Sequence, residues 1–125
     1  MAEHKFPKTR VGLTRKVNAC GFDLYLTVNA QPSGEPGELF VKIGKQGSTV
    51  AGLMQAFAVT VSAALQRGVL WSELREKYIG STFEPRNQVN TSIIDAVAQN
   101  VDEMVAILRE KQDEQRGQKH LDFEE

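Results

Sequence analysis

The chain has 125 residues, a charged fraction of 25% and a formal net charge of −1. This length suits one domain around a single core, and the near-zero net charge supplies little of the long-range attraction that drives binding to nucleic-acid duplexes. Cys20 is the only cysteine, and His4 and His120 lack ligand spacing, so we expect no internal disulfide, no metal site and no cofactor.

The two ends of the chain bear on localisation and domain limits. Residues 1–9 lack the apolar core of a secretory signal, so we expect a cytoplasmic protein. We predict an N-terminal arm over residues 1–9, a single domain over residues 10–110, and a charged tail over residues 111–125 that is either a solvated helical extension or disordered.

Period-two alternation of apolar and polar residues predicts three strands. The clearest covers residues 22–29, with a weaker candidate at 10–17 before the turn 18–21 and a third at 38–45. The segment 31–37 is dense in turn residues, which favours an antiparallel meander. One face of this sheet then needs a cover.

Three helices follow the strands. Residues 50–65 form the most apolar run, which is too short and too polar to span a bilayer and is interpreted as a buried helix ending at Gly68. A short helix is predicted with Ser72 as its cap. The apolar stripes of the two long helices are Val50, Leu53, Met54, Phe57, Val61, Ala64 and Leu65, then Ile94, Val97, Val101, Met104, Val105 and Leu108. The predicted fold is α+β, an antiparallel three-stranded sheet followed by two long helices and a short one packed on one face.

The junction from Lys45 to Thr49 leads a strand through Gly47 into a helix start. Backbone N–H groups and the positive end of the helix dipole would face an anion beside Gly47, with Lys42 and Lys45 adding charge. Alternatively, Ser48 caps the helix and Gly47 only turns the chain. The P-loop spacing is absent.

The loop from Ser81 to Asn87 combines an aromatic ring, an acid, a proline and a guanidinium. Phe83 could stack on a base while Arg86 pairs with a phosphate. In the alternative, Phe83 closes the core, Glu84 pairs with Arg86 and Pro85 fixes the entry to the next helix.

No catalytic cluster emerges from the sequence. Cys20 has no neighbouring histidine to act as a base, and Asp95, Asp102 and Glu103 lie largely away from the apolar stripe of their predicted helix. We therefore do not expect an enzyme. Arg109, at the end of that stripe, is favoured by the helix dipole; in a symmetric oligomer it could reach a neighbour's pocket.

Several motifs together resemble the TSCPD domain near the end of cobalamin-dependent (class II) ribonucleotide reductases, with matching order and spacing over about residues 8–108. The segments that carry the likeness are Leu26–Val28, Gly34–Gly37, Phe40–Ala58, Gly68–Leu74, Thr82–Pro85 and Ser92–Asp95. The resemblance implies an α+β fold. It does not extend to the reductase barrel or its paired cysteines, so it implies a binding role, on a reductase subunit or on a ligand.

A looser resemblance is to small phage proteins that counter Thoeris immunity by sequestering cyclic ADP-ribose signals in homo-oligomers. That likeness implies that Phe83 stacks on adenine, that Arg86, Asn90 and Arg109 hold phosphate or ribose, and that Gly47–Thr49 cradles a further phosphate. The predicted ligand-binding set is Lys45, Gln46, Gly47, Ser48, Thr49, Gln55, Phe83, Arg86, Asn90 and Arg109.

The preferred hypothesis from sequence is a non-catalytic, homo-oligomeric nucleotide-binding protein that sequesters a cyclic nucleotide signal, without membrane or duplex nucleic-acid partners. The competing hypothesis is an accessory or regulatory domain that docks on a class II ribonucleotide reductase.

Overall fold

A computed structural model describes residues 6–44 and 48–123, with side chains described as far as residue 114. Three strands, β1 (Gly12–Ala19), β2 (Phe22–Ala30) and β3 (Pro36–Ile43), precede three helices, α1 (Thr49–Gln66), α2 (Trp71–Tyr78) and α3 (Ile93–Phe123). The described strands form one antiparallel sheet with β2 in the centre. This confirms the predicted α+β fold.

The β1–β2 turn fixes the register of the sheet. Cys20 and Gly21 both have positive φ, 52° and 81°, as a two-residue type I′ hairpin requires. Ala19 therefore pairs with Phe22, and β1 runs two residues further than predicted. β3 likewise lies two residues earlier, because Ala30 pairs with Pro36.

Alternation along the strands separates a buried face from an exposed one. Leu24, Leu26 and Val28 are almost completely buried, whereas Tyr25 between them is 44% exposed. The buried face is covered by α1, which packs on β3, and by α3, which packs on β1 and β2, while α2 contacts α3. The apolar stripe predicted for α3 is buried from Val97 to Leu108.

Different interactions fix the first residues of α1 and α2. Ser48 caps α1, its Oγ accepting the N–H of Ala51 at 3.1 Å, which agrees with the capping alternative. The predicted cap at Ser72 is wrong, because α2 already begins at Trp71. The buried Trp71 indole donates to Asp102 at 3.0 Å, so a tertiary contact fixes this start.

Helix α1 is only partly buried, which corrects the sequence interpretation. Its core contacts are made by Ala51, Met54, Ala58, Val61 and Leu65. Leu53, predicted to lie in the stripe, is 64% exposed. By length and composition alone this helix could cross a membrane, but core helices of water-soluble proteins pass the same test, and α1 packs on β3.

Helix α3 continues past the predicted domain end. It runs unbroken from Ile93 to Phe123, so Arg109 lies well inside it. The dipole explanation offered for Arg109 is therefore wrong, since that effect is confined to the last turn.

Candidate functional site

The start of α1 lies at one end of the sheet. Ser48 Oγ is engaged by the Ala51 N–H, and Thr49 is exposed. The Gly44 N–H donates to the Asp23 carbonyl at 3.1 Å, which places the end of β3 beside the β1–β2 turn. Three predicted ligand-binding residues, Lys45, Gln46 and Gly47, lie outside the described residues.

The loop between α2 and α3 lies at the same end. Phe83 is 45% exposed, so it does not close the core, and its N–H donates to the Thr91 carbonyl at 3.1 Å. Arg86 pairs with Glu84 at 3.0 Å between Nε and Oε1, and both side chains remain largely exposed. The ring and the guanidinium are thus both accessible to a ligand.

Asp95 is the centre of a buried polar network, contrary to the expectation that it faces away from the core. It is 1% exposed. Its carboxylate accepts the N–H groups of Gly80 (2.7 Å) and Thr91 (3.1 Å) and the Asn90 side chain (3.3 Å), and the Gln99 amide bonds both oxygens at 2.9 and 3.0 Å. Burial of the carboxyl would raise its pKa, but these donors outweigh burial and lower it.

The hydrogen bond to Asp95 gives the Asn90 side chain a structural role. The Asn90 side chain is 7% exposed and is committed to Asp95, while its carbonyl accepts from the Cys20 thiol at 3.9 Å and from the Asn87 N–H at 2.9 Å. Asn90 therefore holds the loop against the β1–β2 turn. It does not present its amide to a ligand in a single chain.

Arg109 lies at the opposite end of the molecule. Its Nη2 pairs with Glu35 Oε2 at 3.0 Å, in the β2–β3 turn. Arg109 is 14 residues beyond Asp95 on α3, which corresponds to about 21 Å along a helix. One chain therefore does not unite Arg109 with Phe83 and Arg86, and a site that contains all three needs a second copy.

Gln55 lines a groove of about 560 Å³ between α1 and the outer edge of β3. On that edge, Ser62 Oγ accepts the Leu39 N–H at 2.9 Å, and its hydroxyl hydrogen is within reach of the Ala58 carbonyl (2.9 Å) and the Leu39 carbonyl (3.2 Å). The remaining lining is mostly apolar: Phe40, Val41, Ala58, Val59 and Ala63, with Glu38, Lys42 and Gln66. Gln55 thus belongs to a different surface from the loop residues.

The described residues carry no arrangement that indicates acid–base, nucleophilic or metal chemistry. Burial raises the pKa of the Cys20 thiol, and the nearby Asp95 carboxylate adds to that effect, so little thiolate forms at neutral pH. No group of three or more histidine, cysteine, aspartate or glutamate side chains in the described part of the chain could hold a metal ion.

Sequence reasoning missed Asp95, although a signal was present. Ser92 and Asp95 have the spacing of a capping box, in which a hydroxyl and a carboxylate three residues apart satisfy the first turn of a helix. The structure shows half of this relationship: Ser92 Oγ accepts the Asp95 N–H at 3.0 Å, whereas the Asp95 carboxylate accepts the N–H of Thr91, one residue before the N-cap.

Comparison with known proteins supplies the family. The sequence model of the TSCPD domain matches residues 3–105. The chain is 35% identical over 102 residues to a vitamin B12-dependent ribonucleotide reductase of Rhodopirellula baltica, covering 82% of this chain and 10% of that protein. It is 42% identical over 81 residues to the reductase of the same name from Streptantibioticus cattleyicolor, covering 65% and 14%.

A third reductase of that name, from Agrobacterium fabrum, is 34% identical over 101 residues, covering 74% of this chain and 8% of that protein. The chain thus matches only about a tenth of the length of these curated relatives. No solved structure gives a significant match. These comparisons lend no support to the looser resemblance to phage anti-defence proteins.

Proposed function

The chain belongs to the TSCPD domain family and is related to a domain of class II ribonucleotide reductases, and on this premise we propose that it is a non-catalytic accessory domain that docks on the body of such a reductase. In the relatives, the matched region is one part of a far longer chain. A domain of that kind needs a surface that contacts the rest of the enzyme.

The observation that carries the proposal is the outward face of α1. The helix has no charged residue between Ser48 and Gln66, yet only five of its residues are buried. Leu53 and Val59 are 64% and 69% exposed. Gly52, Ala56 and Ala63 are exposed between them, so a partner can approach the helix backbone closely.

The energetics favour an interface on this helix face. Exposed helix positions on isolated domains usually carry charged or polar side chains, and a contiguous apolar stripe without charge marks an interaction surface. Burial of a fully exposed leucine or valine contributes about 1.5–3 kcal/mol, so Leu53 and Val59 would each supply somewhat less. The apolar groove beside Val59 extends the same surface to β3.

A binding measurement with matched variants tests this docking. The partner is the body of a class II reductase from which its own TSCPD domain has been removed, titrated with this chain by calorimetry. Val59→Glu should weaken binding at least tenfold, whereas Val89→Glu, the same change at a 78% exposed valine on the α2–α3 loop, should not. Absence of a complex at micromolar concentrations, or equal affinity of both variants, would overturn the proposal.

A second candidate function is nucleotide binding without turnover, in its most specific form the sequestration of a cyclic nucleotide signal. The observation in its favour is the accessible pair of Phe83 and Arg86 at the end of the molecule where α1 begins. Since Arg109 lies at the other end, this candidate requires a homo-oligomer that brings a neighbour's Arg109 to the loop.

Thermal shift with cyclic ADP-ribose isomers, cyclic oligonucleotides and deoxynucleotides tests this candidate. Phe83→Ala and Arg86→Ala should abolish the response while leaving the melting temperature without ligand unchanged. Recovery of the ligand unaltered distinguishes sequestration from catalysis. No response to any member of the panel would rule the candidate out.

A further inference from the structure

The outer face of the sheet presents two aromatic rings to solvent. Tyr25 on β2 is 44% exposed and Phe40 on β3 is 49% exposed. Both point away from the face that packs on the helices, because their strand neighbours Leu24, Leu26 and Leu39 are buried. Packing in the core therefore does not explain why an aromatic residue occupies either position.

Strand register places the rings next to each other. Tyr25 is directly opposite Lys16 on β1 and Lys42 on β3, while Phe40 is opposite Thr27 in the adjacent row. Tyr25 and Phe40 are thus diagonal neighbours on adjacent strands, about 7–8 Å apart. We call this pair of exposed rings the aromatic platform.

Positive charge brackets the platform. Lys16 Nζ lies over the Tyr25 ring, 5.9 Å from its centre, in a cation–π contact. Lys42 is the strand partner of Tyr25 on β3. Neither lysine is ion-paired with a carboxylate among the described residues. Of the acids on this face, Glu38 is neutralised by Arg10, which donates to both of its oxygens at 2.9 Å. Asp23 accepts from the neutral Asn18 amide at 2.8 Å and keeps its charge at the end of the sheet next to the β1–β2 turn.

We propose that this face binds single-stranded nucleic acid, with bases stacked on Tyr25 and Phe40 and phosphates paired with Lys16 and Lys42. Stacking on exposed sheet aromatics flanked by cations is a general mode of single-strand recognition, and it tolerates any base. The Tyr25 ring lies on the open sheet face, and Phe40 borders the groove between α1 and β3. An extended strand can contact both rings, whereas a free small molecule usually occupies one concave site, so the geometry favours a strand over a mononucleotide.

The net charge of the chain also determines how strongly its affinity for nucleic acid should depend on salt. With a net charge of −1, attraction is local, and two phosphate contacts give a slope of about −1.4 in a plot of log affinity against log salt concentration. The site shares Phe40 and Lys42 with the groove between α1 and β3, and it is separate from the loop that carries Phe83.

Fluorescence anisotropy of a labelled oligothymidylate at low salt tests the proposal. Tyr25→Ala and Phe40→Ala should each weaken binding about 5- to 150-fold, and Tyr25→Phe should retain it. Lys16→Gln and Lys42→Gln should each reduce the salt slope by about 0.7. Circular dichroism confirms that each variant is folded.

Matched controls keep the experiment decisive. Val89→Ala removes an apolar side chain that is 78% exposed from the α2–α3 loop, and Lys77→Gln removes an exposed lysine from α2; both should bind like the unmodified chain. The proposal is overturned if the unmodified chain gives no anisotropy change, if Val89→Ala loses as much affinity as Tyr25→Ala, or if a mononucleotide competes as well as an unlabelled oligonucleotide.

Discussion

Asp95 Oδ1 accepts the backbone N–H of Gly80 at 2.7 Å, which ties the start of α3 to the end of α2 across 15 residues. The same carboxylate also accepts hydrogen bonds from Thr91, Asn90 and Gln99. The loop between the two helices is therefore organised around one negative charge. The loop that presents Phe83 and Arg86 therefore depends on a buried residue that a ligand would not touch.

Replacement of Asp95 should be severe. Asp95→Ala leaves the Gly80 and Thr91 N–H groups and the Asn90 amide without their acceptor, and we expect a loss of about 3 kcal/mol or more in the free energy of unfolding. Asp23→Ala, which removes an exposed carboxylate bonded to Asn18, should cost less than about 1 kcal/mol. Urea denaturation measures both, and equal losses would contradict the role assigned to Asp95.

The lowered pKa of Asp95 predicts how stability changes with pH. In the unfolded chain the carboxyl titrates near its ordinary value of 3.8, and in the folded chain it titrates lower. Its stabilising contribution is therefore complete above pH 3.8 and is lost as the pH falls through the folded-state pKa. The difference in melting temperature between the unmodified chain and Asp95→Asn should be constant from pH 5 to 7 and shrink below pH 3.8. A difference that grows towards acid would contradict this sign.

The contribution of Ser48 as the N-cap of α1 can be measured separately from any role in binding a ligand. Ser48→Ala removes the acceptor for the Ala51 N–H and should reduce the free energy of unfolding by about 1 kcal/mol, whereas Ser48→Asp should retain it. The first turn of α1 has no acidic residue, so the aspartate also gains from the helix dipole. Thr49→Ala serves as the control and should be nearly neutral; an equal loss there would remove the distinction.

Two hydroxyls on α1 should differ in their effect. Ser62 receives the Leu39 N–H from β3, so Ser62→Ala leaves that group without its partner and should cost about 1–2 kcal/mol. Thr60 Oγ1 donates to the Ala56 carbonyl of its own helix and is exposed. Thr60→Ala should therefore be close to neutral. Chemical denaturation compares the two, and similar losses would show that the strand contact contributes nothing.

The predictable parts of the fold are those with simple periodicity. Alternation at Leu24, Leu26 and Val28 identified β2, and helical spacing from Val97 to Leu108 identified the buried stripe of α3. β1 runs two residues further than predicted, because the positive φ of Cys20 is a property of the hairpin that the residue type does not indicate. β3 lies two residues earlier than predicted, because Ala30 pairs with Pro36. The burial of Asp95 could not be predicted from its position in the helical repeat, since it is buried by Gly80 and by the loop that folds over it.

The candidate site was harder to predict, because side-chain chemistry indicates which residues can bind a nucleotide but not whether the fold brings them together. Phe83 and Arg86 are accessible and close in sequence, but Asn90 is occupied by Asp95 and Arg109 lies with Glu35 at the far end. The exposed surface of α1 was not predicted, because the helical spacing of Leu53 places it in the same apolar stripe as the buried residues of that helix. Only coordinates distinguish an apolar residue in the core from one on the surface.

The bond between Ser62 and Leu39 has a bearing on solubility. A bare outermost strand is a template on which foreign chains can add, and unchecked addition leads to fibrils. Here the Ser62 hydroxyl oxygen on α1 already accepts the N–H of Leu39, and the Gln66 side-chain amide donates to the Gly37 carbonyl at 2.9 Å. β3 is therefore blocked over its first half, and growth of the sheet beyond three strands is arrested by the domain's own first helix.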